Sequence, residues 1–219
     1  MYEQRSSEHP FVRLVWRAGG QTDGEFTDAA NECWGLAFTR HRDGRVGAEL
    51  IGPTASARRL DWRAGESYWG VDLESHVFWR GLDKPALLGV LQPLPVESGY
   101  VTLVGTRYLV PDHDGVEALV EALREQGVLV GDPLVARALE GEQPALSERA
   151  LQRRFRQTTG LARKRIEQVR RAREAYRMLQ QGMAPAEVAA ATGYADQAHL
   201  SRSLRVFAGQ TPRQILLGG

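Results

Sequence analysis

The strongest constraint on the fold of this chain lies in its last third, where two arginine-coated helical patterns follow one another, each stopped by glycine. In the first, Ser147 is placed to cap a helix, because its hydroxyl can accept an otherwise unpaired N–H of the first turn. Leu151 and Phe155 lie four apart on one buried stripe. Arg149, Gln152, Arg153 and Arg156 are left across the outer face, and Gly160 suits the left-handed residue that ends such a helix. In the second, Pro185 opens a helix that turns Val188 and Ala189 inward. Gly193 makes the turn, Tyr194 packs beneath it, and Asp196 caps the next helix, whose buried stripe is Leu200 and Leu204. Gln197, His199, Arg202 and Arg205 fall on the other faces, with Ala198 small enough to admit a close partner. Between the two patterns, Ile166, Val169, Tyr176 and Leu179 recur at helical spacing until Gly182. That run predicts a helix of about 17 residues, roughly 25 Å long.

Charge divides along the same line. Residues 1–140 hold 21 acidic and 14 basic groups, a net −7, and residues 141–219 hold 14 basic and 6 acidic, a net +8. A basic tail on an acidic body predicts that the tail alone meets a polyanion. Arginine and glutamine carry the planar donor groups that match guanine and adenine edges or seize phosphates. Two such helix-turn-helix units on one body could grip successive major grooves about 34 Å apart. The predicted ligand is therefore double-stranded DNA. Arg154, Arg163, Arg170, Arg171 and Arg173 read as solvated or phosphate-facing rather than base-reading.

At these residues the chain resembles the AraC/XylS family of bacterial transcription regulators. The match rests on Ser147, Arg149, Leu151, Arg153 and Phe155, on the Thr159–Gly160 turn, and on Gly193, Tyr194, Asp196, His199, Leu200 and Arg202. Gly209, Thr211 and Pro212 look like the closing motif. The resemblance spans about Leu134 to Ile215 and implies two helix-turn-helix subdomains joined by a long helix. It assigns groove contacts to Arg149, Gln152 and Arg153, and to Gln197, Ala198, His199 and Arg202. One stretch departs from the family: Glu140 to Leu146 carries Gly141 and Pro144 where a leading helix is usual, so the first unit is expected to be trimmed or remodelled.

From Phe11 to Pro111 the pattern is strand-like. Val12, Leu14 and Trp16 alternate with Arg13, Val15 and Arg17. Residues 34–40 and 46–51 flank Asp43–Gly44, a strong hairpin signal. A second hairpin is expected between Leu60–Trp62 and Tyr68–Leu73, further strands at Tyr100–Val104 and Arg107–Val110, and a short helix at Pro85–Leu91. Val116, Leu119, Val120 and Leu123 predict a helix from Gly115 to Glu125, and Leu134 to Leu139 another. The fold class expected is α+β in two domains, an antiparallel β sandwich or small barrel followed by an all-α double helix-turn-helix domain. The boundaries expected are 1–127, a linker over 128–146, and 147–219.

Regulators of the resembled family commonly place a cupin-like sensor ahead of the DNA module, which implies a small-molecule effector or a homodimer, and RNA polymerase as partner for an activator. All five tryptophans, Trp16, Trp34, Trp62, Trp69 and Trp79, lie in this half. They are candidates to line an effector pocket, although aromatic residues more often fill cores. A cupin-like metal enzyme with a basic localising tail is the first alternative, but His9, His41, His76 and His113 are far apart and only Glu74 and His76 could share a strand face. The second is a ligand- or protein-interaction module that no longer reads DNA sequence. No catalytic motif, metal or cofactor is expected. Lone Cys33 reads as a buried small residue. The absence of an apolar leader or an 18-residue apolar run predicts a cytoplasmic protein with no membrane partner.

Overall fold

The computed structural model describes residues 1–218, and the chain forms two compact units. The first contains residues 1–24, 33–53 and 61–160; the second contains residues 25–32, 54–60 and the chain from 161 onward. The strands are β1 (Tyr2–Ser6), β2 (Val12–Gly19), β3 (Gly24–Asp28), β4 (Gly35–Arg40), β5 (Val46–Ile51), β6 (Arg58–Trp62) and β7 (Ser67–Leu73). They continue as β8 (Val77–Trp79), β9 (Leu91–Leu94), β10 (Val96–Glu97), β11 (Tyr100–Leu103), β12 (Thr106–Leu109) and β13 (Leu129–Gly131). The helices are α1 (Val116–Glu125), α2 (Pro133–Leu139), α3 (Glu148–Thr159), α4 (Arg163–Gln180), α5 (Pro185–Ala191), α6 (Gln197–Ala208) and α7 (Pro212–Leu216).

In the first unit, a six-stranded antiparallel sheet runs β1-β2-β7-β4-β5-β9, and β10-β11-β12 form a smaller sheet. The expected β-rich amino-terminal half is present. Register aligns Val15, Val71, Leu36 and Leu50 in one row across four strands. All four side chains are buried, and Phe38 stacks on Trp69 with ring centroids 5.8 Å apart. β7 is buried on both sides, which restricts its neighbours to small residues at close approach. A Cβ on Gly70 would lie 2.3 Å from the Leu36 carbonyl oxygen and 2.6 Å from the Trp16 ring, so only glycine fits there.

The Asp43–Gly44 turn joins β4 to β5 as expected, with Gly44 at φ +83°. Three expectations are corrected. Leu60–Trp62 does not form a hairpin with Tyr68–Leu73, because β6 pairs with β3 while β7 is taken on both edges by β2 and β4. A register shift between Val12 and Leu14 breaks the simple alternation, so Val12 and Val15 are the buried residues of β2. At Pro85 only one 3₁₀ turn forms, Pro85–Leu87, and Leu91 already belongs to β9.

α1 buries Val116, Leu119, Val120 and Leu123, the stripe read from the sequence. Its outer face is tied to the amino-terminal segment: Arg5 Nη2 donates to Glu117 Oε2 at 2.7 Å, Ser7 donates to the same carboxylate, and His9 Nε2 lies 2.9 Å from Glu121 Oε2. Residues 128–146, expected to be a linker, hold β13, which pairs with β8, and α2. Asp132 explains the difference. It caps α2 by accepting from the N–H groups of Leu134 and Val135, and Pro133 sits in the first turn where its missing N–H costs nothing. Cys33 is buried, with its Sγ 3.5 Å from Ser75 Oγ.

In the second unit, α4 to α7 surround a core of Val169, Ala172, Ala175, Leu179, Val188, Leu200, Leu204, Phe207 and Ile215. α4 is 18 residues, about 27 Å at 1.5 Å per residue. Its buried stripe includes Ala172 and Ala175, whereas Tyr176 is only half-buried. Residues 25–32 and 54–60, which carry most of the β3–β6 ribbon, belong to this unit, and Ala30 enters its core.

Candidate nucleic-acid interface

α3 begins at Ser147, whose Oγ accepts from the Ala150 N–H at 3.3 Å, and ends at Gly160 with φ +82°. Leu151 and Phe155 are buried, as their spacing predicts. The face this leaves outward carries Arg149, Gln152, Arg153 and Arg156, all exposed, and they line a surface cleft of about 450 Å³ with Ser147 and Ala150. What holds α3 in place was not read from the sequence. Buried Asp132 accepts from Arg154 Nε at 2.7 Å and from Thr158 Oγ1 at 2.9 Å, so one carboxylate both caps α2 and clasps α3. α2 is the leading helix of the first helix-turn-helix unit, trimmed to seven residues and separated from α3 by Glu140–Leu146.

The second helix-turn-helix unit is built as the sequence predicts. Pro185 starts α5, Val188 and Ala189 are buried, and Gly193 turns at φ +71°. Asp196 Oδ1 accepts from the His199 N–H at 2.6 Å, which starts α6. Leu200 and Leu204 are fully buried, Gly209 ends the helix at φ +69°, and Thr211 and Gln214 form a capping box for α7. Gln197, Ala198, Arg202 and Arg205 are exposed. His199 is half-buried and meets Tyr194 edge-on with centroids 5.1 Å apart, while the Tyr194 hydroxyl lies 2.8 Å from Ser203 Oγ.

The arginines of this region fall into two sets. Arg154 is taken by Asp132, Arg163 by Glu167, Arg177 by Glu174, and Arg170 and Arg173 both by Glu32. Arg171 lies over the Tyr194 ring at 4.7 Å. Arg149, Arg153, Arg156, Arg202 and Arg205 have no ion-pair partner among the described residues and keep their guanidinium donors toward solvent. The unpaired set contains the arginines expected to touch DNA, together with Arg165 and Arg213, which are also exposed and have no ion-pair partner among the described residues. Arg154, Arg163, Arg170, Arg171 and Arg173, expected to be solvated or phosphate-facing rather than base-reading, are each partly exposed and each engaged within its own unit. Glu32, which takes two of them, carries no sequence signal of that role: it is one acidic residue among the strands, 138 and 141 positions from its partners.

Of the tryptophans, Trp34, Trp69 and Trp79 are buried in the core of the first unit. Trp16 stands over Gly70, and Trp62 donates its indole N–H to the Thr22 carbonyl at 2.9 Å. The indole N–H groups of Trp34 and Trp79 are buried with no hydrogen-bond partner among the described residues. Glu74 and His76 fall in the turn between β7 and β8, not on a common strand face. Among the described residues no group of three or more His, Cys, Asp or Glu is placed to hold a metal ion. No described helix is long and apolar enough to cross a membrane.

Residues 142–217 match the family model of a helix-turn-helix domain. No curated protein sequence matches the chain. Among solved structures, ToxT from Vibrio cholerae aligns over 99% of this chain and 98% of its own, with 7% identity and a TM-score of 0.47. ToxT from Vibrio cholerae O395 aligns over 99% and 97%, with 10% identity and a TM-score of 0.44. The carboxy-terminal third of the chain, residues 142–217, is thus a helix-turn-helix domain.

Proposed function

We propose that the chain is a transcription regulator that reads DNA with α3 and α6, each entering a major groove. The observation that carries this reading is the sorting of the arginines: those on the outward faces of α3 and α6 are unpaired, while most of their neighbours are engaged within the protein. In the first unit, Arg149, Gln152, Arg153 and Arg156 take phosphates and base edges. In the second, Gln197, Ala198, His199 and Arg202 face bases near the start of α6, and Arg205 takes a phosphate. The strand-rich amino-terminal half acts as the sensing or assembly part, and the helices from α2 onward as the reader.

The effector pocket is assigned to the tryptophan-rich core of the amino-terminal half. Two buried indole donors, on Trp34 and Trp79, have no hydrogen-bond partner among the described residues, and an oxygen-bearing small molecule would offset the cost of leaving them unpaired. Self-association would double the grooves held, and RNA polymerase is the partner where the protein activates.

The test is fluorescence anisotropy on a duplex selected from random DNA by the full chain, and on its scrambled version, across a salt series. Log K should fall steeply with log salt, and removing an arginine that sits on a phosphate should reduce the slope by about 0.9. Arg153→Ala or Arg202→Ala should cost about 1–3 kcal/mol on the selected duplex and less on the scrambled one. Equal losses on both would refute base reading.

A further inference from the structure

The ribbon residues 25–32 and 54–60 interrupt the amino-terminal half, yet they lie on the reader. The Ala30 N–H donates to the Phe207 carbonyl at 2.7 Å, and the Ala57 N–H donates to the Val206 carbonyl at 2.8 Å. Both acceptors are in the last turn of α6. The buried Glu32 carboxylate takes Arg170 Nε at 3.3 Å and Arg173 Nη1 at 3.0 Å, and Arg173 also reaches Asn31 Oδ1 at 3.5 Å. Ala30 and Ala55 form one wall of a cleft of about 240 Å³ whose other walls carry Arg165, Gln168, His199 and Arg202. The ribbon therefore stands directly beside the side chains assigned to the groove.

We infer that this ribbon is an autoinhibitory strap on the second recognition helix, latched by Glu32, and that strong DNA binding requires its release. The inference rests on the reading that α6 enters a major groove.

Three observations support it. An α-helix with its side chains is about 10–12 Å across and fills a major groove about 12 Å wide, so a ribbon bonded to the last turn of α6 and lining a cleft with His199 and Arg202 competes with the groove wall for the same space. Glu32 is a carboxylate held by two guanidinium groups that remain 37% and 31% exposed on their side chains. Those groups can bind the carboxylate or a phosphate, not both, so the latch imitates the ligand it excludes. Finally, the apolar residues that the strap contributes to the core and cleft of this unit are small, Ala29, Ala30 and Ala55, and the buried ion pairs and two backbone hydrogen bonds add to the contact, so little apolar area is lost when it lifts. Because both arms of the ribbon join strands of the tryptophan-bearing sheet through short connections, a change in that sheet has a covalent route to the latch.

The experiment uses the full chain and a fluorescein-labelled duplex selected from a random pool. In the double variant Ala57→Cys, Val206→Cys, oxidation joins strap to helix where the Ala57–Val206 backbone hydrogen bond already holds them together, and buried Cys33 stays out of the exchange. The oxidised protein should bind at least tenfold more weakly than the reduced protein, and reductant should restore binding. Glu32→Gln should bind about tenfold more tightly than wild type, because a larger fraction is open and apparent affinity scales with that fraction. Oxidised protein that binds as well as reduced overturns the inference, as does failure of the cysteine pair to oxidise, or weaker binding by a folded Glu32→Gln. Arg202→Ala separates this from the parent reading. If it leaves binding unchanged, the assignment of α6 fails; if it weakens binding while the oxidised lock does not, only the strap fails.

Discussion

Asp132 is the residue on which the placement of α3 depends most, and its removal can be costed contact by contact. It is 5% exposed and accepts from two N–H groups of α2, from Arg154 and from Thr158. Loss of the cap in Asp132→Ala costs about 1 kcal/mol. Thr158 is buried, and stranding its hydroxyl without an acceptor costs about 1–3 kcal/mol. Arg154 is 42% exposed on its side chain, so it returns to water and adds little. The sum is about 2–4 kcal/mol, which at 2–4 °C per kcal/mol lowers Tm by roughly 4–16 °C. Asp132→Asn keeps one acceptor oxygen and should lose about half as much. Thr158→Val should be nearly additive with distant changes but not with Asp132→Ala, since the hydroxyl is stranded only once. Thermal melts and urea titrations of the three variants measure this. An Asp132→Ala protein within 0.5 kcal/mol of wild type would refute the clasp as the element that seats α3.

Glu117 and Glu121 titrate below the usual carboxylate range, Glu117 chiefly through its hydrogen bonds from Arg5 and Glu121, at about 2, chiefly through those from Arg124 and then His9. Depressed carboxylates stabilise the fold above their unfolded pKa near 4.5, and that contribution is lost as pH falls toward 2, so Glu117→Gln should flatten stability against pH in that window, read by urea titration at each pH. Gly70→Ala forces a Cβ within 2.3 Å of the Leu36 carbonyl and should cost 3 kcal/mol or more, about the upper end for overpacking, visible as insoluble or markedly destabilised protein. Leu200→Ala, at a fully buried position of α6, should cost about 2–5 kcal/mol in a melt and abolish DNA binding before Arg202→Ala does.

The legible parts of the fold were those fixed locally. Helix stripes such as Leu151–Phe155 and Leu200–Leu204, caps at Ser147 and Asp196, and the Asp43–Gly44 turn depend on residues within a few positions, and all stand where the sequence places them. Pairing between distant segments was not legible. β6 leaves its sequence neighbour β7 for β3, a choice that depends on which edges of the larger sheet are already occupied. The shift at Val12–Leu14 answers to β7, not to β2's own alternation. Within the interface, the outward arginines followed from helical periodicity, but the fates of Arg154, Arg170 and Arg173 depended on Asp132 and Glu32, which lie 22 and about 140 positions away. Asp132 followed by Pro133 was a readable helix start; that its second oxygen would clasp another helix was not.

Hydroxyl-radical footprinting of the full chain on its selected duplex tests the central claim most directly. Two helices entering successive major grooves should protect two patches on one face of the duplex, centred about 10–10.5 base pairs apart, with Arg153→Ala weakening one patch and Arg202→Ala the other. A single patch, or loss of both patches together from either substitution, would contradict reading by α3 and α6 as separate elements.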